Sequence, residues 1–240
     1  MTVAYQPIVR VTDGHLVAVE TLAPWHDAER GDVPAAEFIP VAEETGLIHD
    51  LGMQVLEQAC TQAARWRRAF GPTSTPRVAV NVSIRQLLPA DFAPRVLALL
   101  GRVGLPTDAL ELEMTESCAM EPGARAALER FTAAGVTLAV DDFGTGYSSF
   151  AALRERTPQA FKLDRSFVAR LPDDRPTDAI VSAVLALAGH LGATVTAEGV
   201  ETEEQLQRLR ELGCPQVQGL LLGSPATAER IEREWLSRPR

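Results

Sequence analysis

Asp141 and Asp142 stand side by side at the end of the apolar run Leu138–Val140, and a turn with two glycines, Gly144 and Gly146, follows at once. Neighbouring side chains of a strand point to opposite faces, but where a strand frays two consecutive carboxylates can both reach one site. Glycine lets the backbone turn sharply and admits a close approach. The pattern suits a divalent cation held under a loop. It suits a solvated Asp-Asp turn as well, so the other polar residues must decide.

They fall in a regular way. Glu20 lies near the end of L-V-A-V-E-T-L (16–22). Asn81 lies in V-A-V-N-V-S (78–83), in phase with Ala79 and Ser83. Glu113 lies in L-E-L-E-M-T-E (110–116), opposite Leu110, Leu112 and Met114. Lys162 and Asp164 alternate with Phe161 and Leu163, and Glu198 ends T-V-T-A-E (194–198). Gln6 lies in the first apolar run and Gln218 opens the last. Buried carboxylates repel one another and are costly unless a cation neutralises them. Glu20, Asn81, Glu113, Asp141 and Asp142 form an all-oxygen set, which suits Mg²⁺, Mn²⁺ or Ca²⁺ better than zinc.

The elements that must bring these residues together are legible from periodicity. Val3–Val11 and Leu16–Leu22 read as strands separated by Thr12-Asp13-Gly14-His15, a hairpin signal, so they run antiparallel. Glu37–Leu47 and the stripe Leu51, Val55, Ala59, Trp66 and Phe70 read as helices. Strands then alternate with helices: Arg77–Ser83, Leu110–Thr115, Val136–Asp142, Ala160–Asp164, Thr194–Glu198 and Val217–Leu222, with helices that include Phe150–Arg156, Ala179–Leu191 and Ala228–Leu236. Repeated β-α units imply a parallel sheet, and eight strands suggest a closed barrel with its site at the carboxyl ends of the strands; an open doubly wound sheet is the alternative.

Composition bounds the rest. The 240 residues, 46% hydrophobic, fit one globular domain. The net charge of -9 argues against a nucleic-acid polymer as partner. Cys60, Cys118 and Cys214 lie far apart, which fits neither a disulfide framework nor a zinc knuckle and suits a reducing compartment. No stretch is apolar for long enough to span a bilayer. His15, His26, His49 and His190 form no spaced cluster.

Taken in order, Y-Q-P-I (5–8), V-E-T-L (19–22), F-I-P-V-A-E-E-T-G-L-I (38–48), N-V-S (81–83), E-L-E-M-T-E-S (111–117), D-D-F-G-T-G-Y-S-S (141–149), F-K-L-D-R-S-F-V (161–168), A-E-G-V-E-T (197–202) and Q-G (218–219) resemble the EAL domain family of cyclic di-GMP phosphodiesterases. The resemblance spans essentially the whole chain. It implies an α/β fold, a modified TIM (β/α)8 barrel whose first strand is antiparallel, as a single domain over residues 1–240. It implies hydrolysis of cyclic di-GMP to the linear dinucleotide. Glu20, Asn81, Glu113 and Asp141 would hold one Mg²⁺ or Mn²⁺, and Asp142 with Asp141 a second, with Ca²⁺ inhibitory. Lys162, Glu198 and Gln218 would be catalytic, and Gln6, Leu22 and Asp164 would contact substrate. Glu116, Gly144, Gly146 and Glu201 would support the glycine loop. It further implies a cytoplasmic protein fused to sensor or GGDEF-type domains, and a homodimer formed around the glycine loop, where Phe150 and Leu153 could meet a second copy.

Two departures stand out. The signature triplet is Glu20-Thr21-Leu22, and Ala23-Pro24-Trp25 stands where the family usually has Leu-Arg-Trp. Proline supplies neither charge nor N–H, so a phosphate contact is lost. Leu220 and Ser224 replace an aromatic and a basic residue. These changes carry the alternative reading, a degenerate EAL module that binds the nucleotide or a protein without turnover.

Overall fold

A computed structural model of the chain describes residues 2–144 and 158–237. Eight strands close into one barrel: β1 (Ala4–Arg10), β2 (Leu16–Leu22), β5 (Arg77–Asn81), β6 (Leu110–Thr115), β7 (Thr137–Phe143), β8 (Ala160–Leu163), β9 (Thr194–Ala197) and β10 (Gln216–Gln218). β1 is antiparallel to both of its neighbours, β2 and β10, and every other neighbouring pair is parallel. A closed barrel therefore replaces the open sheet. The antiparallel entry follows from the tight turn at Asp13-Gly14, where the Arg10 N–H donates to the His15 carbonyl and leaves no room for a crossover helix.

Alternation sorts the side chains. On β5 and β6, Val78, Val80, Leu110, Leu112 and Met114 are buried against the surrounding helices. Those helices include α2 (Ile48–Phe70), α4 (Phe92–Val103) and α6 (Arg125–Ala134). The apolar core is thus the shell between strands and helices. The other strand face, carrying Glu20, Glu113, Lys162, Thr196 and Gln218, lines the bore and is buried as well.

The structure adds and corrects elements. A two-stranded hairpin, β3 (Trp25–Asp27) and β4 (Gly31–Val33), follows β2; strands of three residues carry too little periodicity to be read. The helix expected at Glu37–Leu47 is α1 (Ala35–Thr45), stopped by Gly46 at φ 78°. The expected last strand Val217–Leu222 ends at Gln218, so Gln218 closes that strand rather than opening it. The chain turns there because Gly219 presses against Val200: a Cβ at 219 would lie 2.1 Å from the Val200 carbonyl oxygen. The helix expected at Phe150–Arg156 falls outside the described residues. The final helix is α-helical over Ala228–Ile231 and continues as a π-helical turn over Glu232–Leu236. Among the described residues, no helix is long and apolar enough to cross a membrane.

Trp66 ties the end of the chain to its beginning. Its indole N–H donates to Glu232 Oε1 at 2.8 Å, and its ring meets Tyr5 edge-on with centroids 5.1 Å apart. Trp66 is almost wholly buried. Trp66→Ala is expected to lower stability by about 3–5 kcal/mol, the range for a large aromatic lost from a core. Urea denaturation checks it, and a shift under 1 kcal/mol would refute this role.

Candidate active site

At the carboxyl ends of the strands, four carboxylates from four strands or strand ends surround one ammonium. Lys162 Nζ on β8 lies 2.6 Å from Glu198 Oε1, 2.9 Å from Glu113 Oε2, 3.5 Å from Glu20 Oε1 and 3.6 Å from Asp141 Oδ1. Asn81 Nδ2 donates to Glu20 Oε1 at 2.9 Å and to Glu113 Oε2 at 3.2 Å. Gln218 Nε2 donates to Glu20 Oε2 at 2.6 Å and to Gln6 Oε1 at 3.0 Å, and Gln6 Nε2 donates to the Gly223 carbonyl at 3.1 Å. Eight residues remote in sequence thus form one network, with Gln6 opposite Glu20 and Asn81 opposite Glu113 in the ladder.

Electrostatics follows from the count of charges. Burial opposes the Lys162 charge, but Glu113, Glu20, Glu198 and Asp141 outweigh it and hold the ammonium's pKa well above its ordinary value. Burial raises Glu113 well above the usual carboxylate range despite Lys162, and Glu113 Oε1 is buried with no hydrogen-bond partner among the described residues. Burial would raise Glu20 too, yet Lys162 and the amides of Gln218 and Asn81 bring it below the ordinary value. Glu198 is pushed up to about 7 by burial and by the Asp141 and Glu20 charges, against Lys162. One cation thus faces four acidic groups, and burial holds Glu113 and Glu198 above the ordinary carboxylate range.

The other sequence-derived residues are placed as follows. Asp142 takes φ 53°, a left-handed conformation, and is exposed; its N–H donates to Asp141 Oδ1 at 2.9 Å. Burial, then Asp141 and Asp164, raise its pKa. Asp164 caps the short helix that follows β8, accepting from the Ser166 N–H at 3.0 Å. Leu22 ends β2, half-buried opposite Ala4. Gly144 has φ 96°, and a Cβ there would meet the Phe167 ring at 3.0 Å. Glu201 is exposed, and its N–H donates to Gln205 Oε1 at 2.8 Å. Glu116 opens the helix Glu116–Met120; its expected contact at Gly146 lies outside the described residues, as do Phe150 and Leu153. Among the described residues, no three acidic, His or Cys side chains are gathered closely enough to grip an ion as they stand; the Lys162 ammonium fills the point where they converge.

Sequence reasoning missed Glu111. It is buried inside the barrel below Glu113, 3.3 Å from Arg77 Nε, and burial raises its pKa. Its spacing of two from Glu113 was the available signal. It also missed the backbone clamp of β10. The Val200 N–H donates to the Gln218 carbonyl at 3.0 Å and the Leu221 N–H to the Val200 carbonyl at 3.1 Å, which fixes Gln218 relative to Glu198.

The EAL domain family model matches residues 1–225. The chain belongs to the EAL domain family. This EAL domain is 41% identical over 229 residues to the bifunctional diguanylate cyclase/cyclic di-GMP phosphodiesterase MucR of Pseudomonas aeruginosa, covering 95% of this chain and 33% of that protein. A solved structure described as the PaMucR phosphodiesterase in complex with c-di-GMP superposes with TM-score 0.89 at 40% identity, covering 96% of this chain and 93% of that one. A manganese/cy-diGMP complex of Klebsiella pneumoniae BlrP1 superposes with TM-score 0.81 at 28% identity, covering 95% and 56%. The EAL domain spans 27% to 33% of the length of three curated relatives.

The raised Glu198 gives a signed prediction. Between its unfolded value of 4.5 and its folded value of about 7, the folded state binds more protons than the unfolded state. The contribution of Glu198 to the stability of the metal-free protein should therefore fall as pH rises from about 4.5 to about 7, and level off above. Glu198→Gln should flatten that slope. Chemical denaturation across this range is the check; an equally steep slope in the variant would assign the effect elsewhere.

Proposed function

We propose that this EAL domain, over residues 1–240, is a divalent-cation-dependent phosphodiesterase that opens cyclic di-GMP to the linear dinucleotide. The observation that carries the reading is the cluster of four carboxylates around Lys162 at the barrel mouth. The likeness to a phosphodiesterase solved with c-di-GMP, over nearly the whole of both chains, supports the substrate. The donor set fits a cation: the oxygens exceed the available positive charge, and Glu113 Oε1 is buried without a partner among the described residues. Glu20, Asn81, Glu113 and Asp141 would hold one Mg²⁺ or Mn²⁺, and Asp141 with Asp142 a second. Two such ions, when bound, lower the pKa of water and neutralise charge on attacking and leaving oxygens.

The chain's own residues supply the rest. Gln218 orients Glu20 through Oε2 and Gln6 through Oε1, which joins the substrate side of the mouth to the acidic cluster. Lys162 stabilises negative charge that builds near the nucleophile. Glu198, held to Lys162 through Oε1 and with a pKa near neutrality, accepts a proton from the attacking water. The water oxygen bonds to one phosphorus, the bond from that phosphorus to the 3′ oxygen breaks, and the 3′ oxygen leaves as a hydroxyl after taking up a proton. Gln6, Leu22 and Asp164 line the approach of the nucleotide. Glu116, Gly144, Gly146 and Glu201 support the loop beside Asp142. In this reading the barrel works in the cytoplasm and as a homodimer; a relative that joins a diguanylate cyclase to its phosphodiesterase supports fusion to sensor or GGDEF-type domains.

A second reading, a receptor that binds without turnover, is favoured by Pro24, exposed just past β2 where an arginine would reach a phosphate. His26 in the neighbouring hairpin is engaged with Asp32 at 2.8 Å. Incubation with cyclic di-GMP and Mn²⁺, resolved by chromatography, should give linear product in the parent and none in Glu20→Ala; binding with no product in the parent would establish the receptor instead. Pro24→Arg should lower KM by about ten- to a hundredfold, the worth of one charge-assisted hydrogen bond, and an unchanged KM would remove Pro24 as the weak point.

A further inference from the structure

We propose that Glu43, on α1 outside the acidic cluster, is a positioning residue that holds Asn81 in place through Ser83. The inference rests on the phosphodiesterase reading for its consequence, and on the following geometry for its existence.

β5 ends at Asn81, and two residues later Ser83 begins a four-residue helix, α3 (Ile84–Leu87). So short a helix supplies little stability of its own. The turn is fixed by side chains. Ser83 Oγ accepts from the Arg85 N–H at 3.1 Å, and Gln86 Oε1 accepts from the Ser83 N–H at 3.0 Å, a capping box. Ser83 Oγ still has its own proton, and it donates this to Glu43 Oε1. The turn is therefore tied to a helix 40 residues away in sequence. Gln86 is buried against Gly52 on α2, where a Cβ would lie 2.0 Å from its Nε2, so the whole box is backed by close packing.

Asn81 needs such a brace. It is exposed at the mouth, and its amide must bridge Glu20 and Glu113 at once. The Val82 N–H donates to the Glu113 carbonyl at 2.8 Å, the last backbone rung before the turn. Beyond that rung, the capping box shapes the turn, and the Ser83–Glu43 bond ties it to α1. A carboxylate here is the acceptor that a hydroxyl already engaged in capping requires.

The test compares the parent with Glu43→Ala, Glu43→Gln, Ser83→Ala and the double alanine variant, each as the full chain. In Glu43→Ala, the Mn²⁺ concentration for half-maximal cyclic di-GMP hydrolysis should rise about tenfold, the usual cost of losing a group that orients a ligand, with kcat recovered at saturating Mn²⁺. Glu43→Gln keeps an acceptor oxygen and should behave as the parent. Ser83→Ala should match Glu43→Ala, and the double variant should be no worse than either. A loss of melting temperature with an unchanged Mn²⁺ requirement would make Glu43 merely structural and overturn the proposal. The side-chain amide proton resonances of Asn81, followed by NMR without metal or substrate, separate the two readings. If the parent proves inactive while those resonances move in Glu43→Ala and not in Glu43→Gln, the brace stands and the phosphodiesterase reading falls. If they do not move in Glu43→Ala, the brace falls whatever the activity.

Discussion

A single ammonium, Lys162, sits buried among four carboxylates that no folded chain would gather without a reason. Its charge answers only part of theirs. Coulomb repulsion between desolvated acids is strong, so the site depends on every group near it that offsets negative charge: the amides of Asn81 and Gln218, and in the proposed enzyme a divalent cation. The surrounding barrel must hold these groups against their own repulsion. That demand explains why the mouth is braced by backbone clamps and capping boxes rather than by loose loops.

The braces share a design. Gly219 lies against Val200 with no room for a side chain, and the rungs on either side fix Gln218 relative to Glu198. Gly223 packs against Pro7 and offers its carbonyl to Gln6. Ser83, Gln86 and Glu43 fix the turn beyond Asn81. In each case a residue with no chemistry of its own removes a degree of freedom from one that has it. The cation-binding and proton-accepting roles proposed for the acidic residues require that rigidity, because a ligand set displaced by a fraction of an ångström loses its grip.

The substrate side is less complete. Pro24 and Ser224 are exposed near the mouth without a charge to offer a phosphate, and His26 is turned to Asp32. In the proposed reading the acidic cluster is complete while charged contacts for a phosphate beyond it are fewer, so catalysis and binding can be lost separately.

Much of this was legible in the amino-acid sequence because two signals are local. Period-two alternation assigned Asn81, Glu113 and Lys162 to one strand face, and Asp13-Gly14 announced the antiparallel entry. The sequence by itself determined which side chains face the bore, and its ordered motifs determined the family. It did not reveal the three-residue hairpin Trp25–Asp27/Gly31–Val33, the early end of the last strand, or the meeting of Glu43 with Ser83. The hairpin is too short to show a period, the strand end depends on Gly219 meeting Val200, and the Glu43–Ser83 bond joins residues 40 positions apart that only the folded barrel brings together. Tertiary structure alone decided the partners, the burial and hence the charge state of each group, because desolvation is a property of the assembled surroundings and not of any stretch of chain.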